Sequence, residues 1–120
     1  MLTTKSNLFG KTLLLVYARI VFTAPDKNEI REKFQDSGFS RLPVYEKEID
    51  SIVGIIHEKD FYKLSDSKSF QIEKILQKPY FVTSHVKISK LLKQMQKEKV
   101  HMAIVLDEYG GTLGIITMED

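Results

Sequence analysis

The sequence predicts an α/β (α+β) fold built from two β-α-β-β-α repeats that pack with pseudo-twofold symmetry. Three observations predict it. Residues 54–60 read GIIHEKD and residues 114–120 read GIITMED, the same Gly, Ile, Ile and Asp at a spacing of 60. A fixed spacing of this size marks a duplicated unit. Upstream of each copy lies an apolar pattern of helical period, Ile30 with Phe34 and Leu91 with Met95, at a spacing of 61. Between helix and last strand each copy has a further β-rich run, SRLPVYE at 40–46 against HMAIVLD at 101–107, again at 61. One single-residue length change in the turn between Val44 and Gly54 reconciles the two spacings.

Each element has its own justification. The runs RIVF (19–22) and YFVT (80–83) open the repeats as strands at the common offset. Asp26-Lys27-Asn28-Glu29 is a relative of the capping box and starts a helix, which Gly38 ends by adopting a left-handed conformation. In the second repeat Ile88, Leu91, Leu92 and Met95 form one helical stripe, with Lys90, Lys93 and Lys97 on another face. Strands follow at Leu42–Tyr45 and Met102–Leu106, then turns EKEIDS (46–51) and DEYGG (107–111), then strands Ile52–Ile56 and Thr112–Thr117. Gly110-Gly111 is a hairpin signal, because glycine reaches positive φ without steric cost. A short helix is expected from Glu58 to Leu64. These elements give repeat 1 at residues 19–64, a linker at 65–79 with a short helix around Ile72–Leu76, and repeat 2 at 80–120 with its last helix missing. Residues 1–18 read as an extension, either tag-like or forming a helix over the apolar surface that the missing helix leaves. A unit of about 60 residues buries too little surface for comfortable stability alone, so two are expected to share a core.

Composition narrows the function. The 120 residues hold 18 Lys+Arg and 16 Asp+Glu, a net charge of +2, which gives no nucleic-acid footprint. Hydrophobic residues make up 42% and charged residues 28%, the balance of a soluble globular domain. Without cysteine, thiol nucleophiles and cysteine-based zinc sites are excluded. The most apolar stretch, Thr12 to Ala24, is interrupted by Arg19 and falls short of the roughly 20 residues that cross a bilayer. It runs directly into a strand-like pattern with no polar cleavage region, which sets aside a secretory leader. His57, His85 and His101 have no metal-ligand spacing, and no P-loop, Ser-His-Asp set or Rossmann fingerprint is present. No candidate nucleophile with its base supports an enzyme.

The runs GFSRLPVYEKEIDSIVGIIHEKD and AIVLDEYGGTLGIITMED resemble a tandem pair of cystathionine-β-synthase (CBS) domains, in particular that of the CorC/hemolysin-C-like (TlyC, cyclin-M) magnesium and cobalt transport family. The likeness covers about residues 19–120, and DEYGGTLGIITMED is specific to that branch. It implies a regulatory module that binds adenosine nucleotide, ATP or AMP, in clefts between the repeats, with ATP usually accompanied by Mg2+. It also implies a homodimer shaped as a flat disc, and a parent protein whose transmembrane transport domain places the CBS pair at the cytoplasmic face. The family's leading Met-Thr-Pro-Arg stretch is replaced here by LLLVYARIVF, in which only Arg19 corresponds.

The resemblance assigns nucleotide contacts residue by residue. Thr117 and Asp120 lie at the end of the last strand. A carboxylate there suits ribose hydroxyls and a hydroxyl suits phosphate, whereas a plain helix cap uses the same residues. In the first repeat the corresponding pair is His57 and Asp60, where imidazole replaces the hydroxyl and predicts a weaker site. Ser40, Arg41 and Pro43 would lie along one cleft, Arg41 meeting polyphosphate through its fork of donors or else pairing with a surface carboxylate. Met102 stands opposite Arg41 in the repeat and would form an apolar wall for adenine. Phe22, Thr23, Thr83 and Ile115 would line the clefts, and each is equally at home in a core or at a strand end. Asp107 and Glu108 read as turn acids, with a magnesium contact as the lesser alternative. The lysine face, extended by Lys99, reads as a solvated helix side that could meet an acidic partner or anionic headgroups. The rival reading of the whole is a structural dimerisation module with empty clefts.

Overall fold

In the computed structural model the backbone is described for residues 3–8, 11–16, 21–67 and 69–119, and side chains for 21–67 and 69–118. The chain divides into two compact units, one of residues 19–79 and the other of residues 1–18 with 80–120.

In the first unit, helix α1 (Lys27–Ser37) begins where Asp26, in extended conformation, accepts the N–H of Glu29 on its side chain, and ends at Gly38 with φ 70°. Both termini are those expected from the sequence. Ile30 and Phe34 are the buried face of this helix. Strands β3 (Arg41–Glu46) and β4 (Glu48–His57) form an antiparallel pair, followed by helix α2 (Glu58–Ser65) and a 3-10 turn at Ile72–Lys74. Leu42, Val44, Ile56 and Phe61 are fully removed from solvent alongside Ile30.

In the second unit, β5 (Phe81–Thr83) runs parallel to β6 (Met102–Leu106), and helix α3 (Ile88–Glu98) makes the crossover that a parallel pair requires. Strand β7 (Thr112–Glu119) returns antiparallel to β6. Leu91, Leu92 and Met95 of α3 pack with Ala103, Val105 and Ile116 of the sheet, closed by Tyr80, Val82, Ile88 and Val100. The helix ends on Lys99 in the left-handed region at φ 59°, without the glycine that serves α1.

The duplication extends to individual hydrogen bonds. Leu42 pairs with Ile56 and Val44 with Gly54, and correspondingly Ala103 pairs with Ile116 and Val105 with Gly114. Immediately afterwards both hairpins shift register, so that Tyr45 meets Ile52 and Leu106 meets Thr112. Val53 and Leu113 are thereby the extra residues of equivalent bulges, and both are exposed.

Four expectations need correction. In the expected leading strand 19–22, residues 19 and 20 lie outside the described residues, Val21 is in a 3-10 turn and Phe22 is not in a strand, while Thr23 makes a bridge, parallel to Val44. Val105, the counterpart of Val44, pairs with Val82, so the leading segments correspond at a spacing of 59 rather than 61. The physical cause is a loop into α3 two residues longer than the loop into α1. Second, the acidic run at 46–51 is not all turn. Lys47 alone reverses the chain, at φ 68°, and β4 starts at Glu48. Third, the 72–76 helix is a single 3-10 turn. Fourth, the described part of the N-terminal segment is strand and not helix. Strands β1 (Thr3–Leu8) and β2 (Lys11–Val16) form a hairpin, and β2 pairs antiparallel with β7, giving the sheet order β1-β2-β7-β6-β5. Strand β7 would otherwise present an edge of unpaired backbone groups, and β2 satisfies it. The first unit has the same device in miniature, since Ile55 exchanges both backbone hydrogen bonds with Gln77 (2.9 and 2.8 Å). Ile115, the counterpart of Ile55, is the residue that faces Val16. Each repeat therefore has its last strand covered by the segment that precedes the other repeat.

Candidate nucleotide-binding site

The end of the last strand is built alike in both repeats. The carbonyl of Ser40 accepts the N–H of Glu58 at 2.8 Å, and the carbonyl of His101 accepts the N–H of Met118 at 2.9 Å. In the second repeat the Thr117 hydroxyl also donates to the His101 carbonyl, at 3.3 Å, and its side chain is buried. In the first repeat the imidazole of His57 turns onto its own helix. It caps α2 by accepting the N–H of Lys59 on Nδ1 at 3.1 Å. An acceptor in extended conformation just before a helix is what an N-cap requires, and His57 supplies it; the sequence reading weighs that role only for Thr117 and Asp120. Asp60 lies in the first turn of α2, where a carboxylate is favoured by the exposed amides of the helix start. Two amides at this helix start, those of Glu58 and Lys59, are already engaged and do not offer themselves to a phosphate. Asp120 lies outside the described residues.

Strand register decides which expected residues come together. Side chains alternate across a strand, and directly opposed residues share a face. Met102 faces Thr117, and Ile104 faces Ile115. Met102, Ile115 and Thr117 consequently lie on one face of β6–β7, opposite to the Ala103, Val105 and Ile116 face that packs on α3. In the first unit Arg41 faces His57 and Pro43 faces Ile55, so Arg41, Pro43 and His57 also share a face. Arg41 is half-buried and Pro43 buried, with Ser40 adjoining. Thr83, at the end of β5, is exposed.

Phe22 and Thr23 are placed differently. Phe22 is buried and lines an open groove of about 460 Å³ with Lys33, Tyr45, Lys47, Glu48, Ile49 and Asp50, a set that does not include Arg41 or Pro43. Thr23 is tied into β3 through its backbone: its N–H donates to Pro43 at 3.0 Å and its carbonyl accepts from Tyr45 at 3.0 Å. Its hydroxyl donates to Ala24 O at 2.9 Å and to the Glu29 carboxylate at 3.2 Å. Glu29 also accepts the Ala24 N–H, so this carboxylate locks the 23–24 backbone before the helix. The Asp26-x-x-Glu29 pattern signals a capping box, in which Glu29 would reach back to Asp26. The amide of Asp26 instead donates to Ala24 at 2.8 Å, and the glutamate reaches two residues further, to the amide of Ala24.

Asp107 settles as a turn acid. One of its carboxylate oxygens accepts the amides of Tyr109 and Gly111, both at 2.8 Å, while Gly110 takes φ 82°. A side chain on Gly111 would meet that carboxylate at 2.9 Å, which explains the second glycine. Among the described residues no group of three or more His, Asp or Glu is arranged to hold a metal ion. No helix among them is long and apolar enough to cross a membrane.

The comparisons with known proteins agree with this architecture. The family model for the CBS domain matches residues 20–67 and 72–120. Hemolysin C of Brachyspira hyodysenteriae is 41% identical over 93 residues, 78% of this chain but only 34% of that protein. The chain thus spans about a third of that relative's length. Among solved structures, the CBS domain of a bacterial CNNM/CorC family Mg2+ transporter in complex with ATP is 33% identical, with a TM-score of 0.72 over 81% of this chain and 72% of the other. A CBS-domain pair with bound AMP from Klebsiella pneumoniae is 26% identical, with a TM-score of 0.64 over 77% of this chain and 76% of the other. The duplicated register, the shared strand-end hydrogen bonds and these similarities converge: the chain belongs to the CBS-domain family, as a tandem pair of the CorC/hemolysin C type.

Proposed function

We propose that the chain is a regulatory module that binds an adenosine nucleotide, ATP before AMP, and passes the occupancy of its site to a transport domain of the parent protein. It is a sensor rather than a catalyst. The observation that carries this reading is the ATP complex of a related CBS domain that is similar over most of its length. In this reading the second repeat supplies the stronger contacts. Asp120 takes the ribose hydroxyls, Thr117 a phosphate oxygen, Met102 and Ile115 an apolar face for adenine, and Thr83 the rim. In the first repeat Ser40, Arg41 and Pro43, which adjoin along one strand, are the candidate phosphate contacts, Arg41 through its fork of donors. Magnesium arrives on the nucleotide's phosphates, not in a protein cage. Asp60 contributes little, because His57 occupies its helix start.

Regulation then works by population shift. A ligand changes an equilibrium only by its difference in affinity for the two states, so the nucleotide must favour one arrangement of a disc-shaped homodimer beneath the membrane domain. A second reading, a structural dimerisation module with empty clefts, draws on the capping role of His57. Thermal unfolding separates the two. A ligand at one hundred times its Kd stabilises by about 2.7 kcal/mol. Millimolar ATP with Mg2+ should raise the melting temperature by several degrees, more than ADP or AMP. An unchanged melting temperature with all three nucleotides favours the structural reading.

A further inference from the structure

The molecule's positive charge is concentrated on one helix. From Lys87 to Lys99 five lysines accompany one acid, Glu98, a net of +4 in a chain whose total is +2. The remainder therefore sums to −2. Helix α1, the counterpart of α3, is balanced: Lys27, Arg31 and Lys33 stand against Glu29, Glu32 and Asp36. The two repeats share their backbone hydrogen bonds but have diverged in the charge of this face.

The lysines are also ordered in space. At 3.6 residues per turn, Lys90, Lys93 and Lys97 fall within about 60° of arc, on the side opposite Leu91, Leu92 and Met95. All three lysines are exposed while the three apolar residues are fully buried. With Gln94 and Glu98 they border a shallow open groove of about 330 Å³. Glu98 is the single acid among the five lysines of residues 87–99. The face has no aromatic, arginine or methionine anchor. The cores of protein interfaces are enriched in those residues and depleted in lysine, so the composition argues against a tightly packed protein partner. A charged lipid surface has no such requirement, because it attracts each ammonium group separately and without shape matching.

We infer that the outer face of α3 is an electrostatic docking surface for an anionic lipid bilayer, which a module tethered to a membrane domain would meet. The inference does not depend on nucleotide binding. The test is co-sedimentation of the 120-residue protein with vesicles of phosphatidylcholine alone or with about 30% phosphatidylserine. The protein should partition onto the anionic vesicles only, and raising salt to about 0.5 M should release it. Each lysine at the surface is worth roughly a fivefold factor, so Lys90→Glu, Lys93→Glu and Lys97→Glu together should lower partitioning on the order of 100-fold or more. The same charge change placed on exposed Lys63, Lys74 and Lys78 should cost far less. Circular dichroism checks that the triple variant is folded; should it not be, Lys90→Gln and Lys97→Gln singly should each lower partitioning about fivefold. Failure of the protein to prefer anionic vesicles would overturn the inference. So would equal losses in the two triple variants, which would make net charge the only determinant. Tighter capture by polyglutamate than by the vesicles would overturn it too, in favour of an acidic polypeptide partner.

Discussion

At the scale of single residues, the two repeats differ most where chemistry is expected. His57 and Thr117 occupy equivalent positions beneath equivalent carbonyls, yet one caps a helix and the other donates across a strand pair. Replacing His57 by alanine removes the acceptor for Lys59 and should cost about 1 kcal/mol, read from the urea midpoint, while asparagine should restore most of it. Gly54 is a packing glycine. A side chain there would meet the Leu76 side chain at 2.7 Å and the Gln77 carbonyl at 2.9 Å. The carbonyl belongs to the backbone bridge that covers β4 and cannot swing aside. Gly54→Ala should therefore destabilise by about 1–3 kcal/mol. An unchanged denaturation midpoint would mean that the 76–77 segment does not lie on β4. The glycine was legible as part of the repeated Gly-Ile-Ile; its reason was not, because the contact comes from a segment that sequence reading assigns to a linker.

At the scale of elements, legibility follows the locality of the forces. Helix α1 declares both ends in its own residues, Asp26 and Gly38, and β6 is a plain apolar run before a glycine hairpin. The strands that differ from the sequence expectation depend on distant partners. The hairpin β1–β2 exists in its register because β7 has an edge to satisfy, and nothing in residues 3–16 names that partner. Removing residues 1–16 should expose the β7 edge and produce concentration-dependent association, measurable by light scattering. Tyr80, at the start of β5, gives the second unit an alkaline limit. Burial, and then the hydrogen bond and charge of Glu98, raise its pKa above the ordinary 10.0. The neutral phenol is favoured in the folded state, so this contribution is complete below the unfolded value and disappears as pH rises through the folded one. Tyr80→Phe should therefore flatten the loss of stability above about pH 10, and an unchanged pH profile would mean that the folded state does not favour the neutral phenol.

At the scale of the whole molecule, a duplicated fold gives two candidate sites of unequal chemistry. Their candidate residues come only from the family motif, since a threonine at a strand end is by itself as good a cap as a ligand. Register adds that Met102, Ile115 and Thr117 share one sheet face and that Arg41 and Pro43 share another. The backbone carbonyls of Ser40 and His101 could not have been foreseen, because every residue carries that group. The central claim is that this chain binds an adenosine nucleotide through its second repeat. Calorimetric titration of ATP with Mg2+ into the wild type, Asp120→Ala and Asp60→Ala measures it most directly. The expected result is saturable binding to the wild type, its loss in Asp120→Ala and its survival in Asp60→Ala. Folded wild type that takes up no ATP at millimolar concentration, or loss in Asp60→Ala alone, would contradict it.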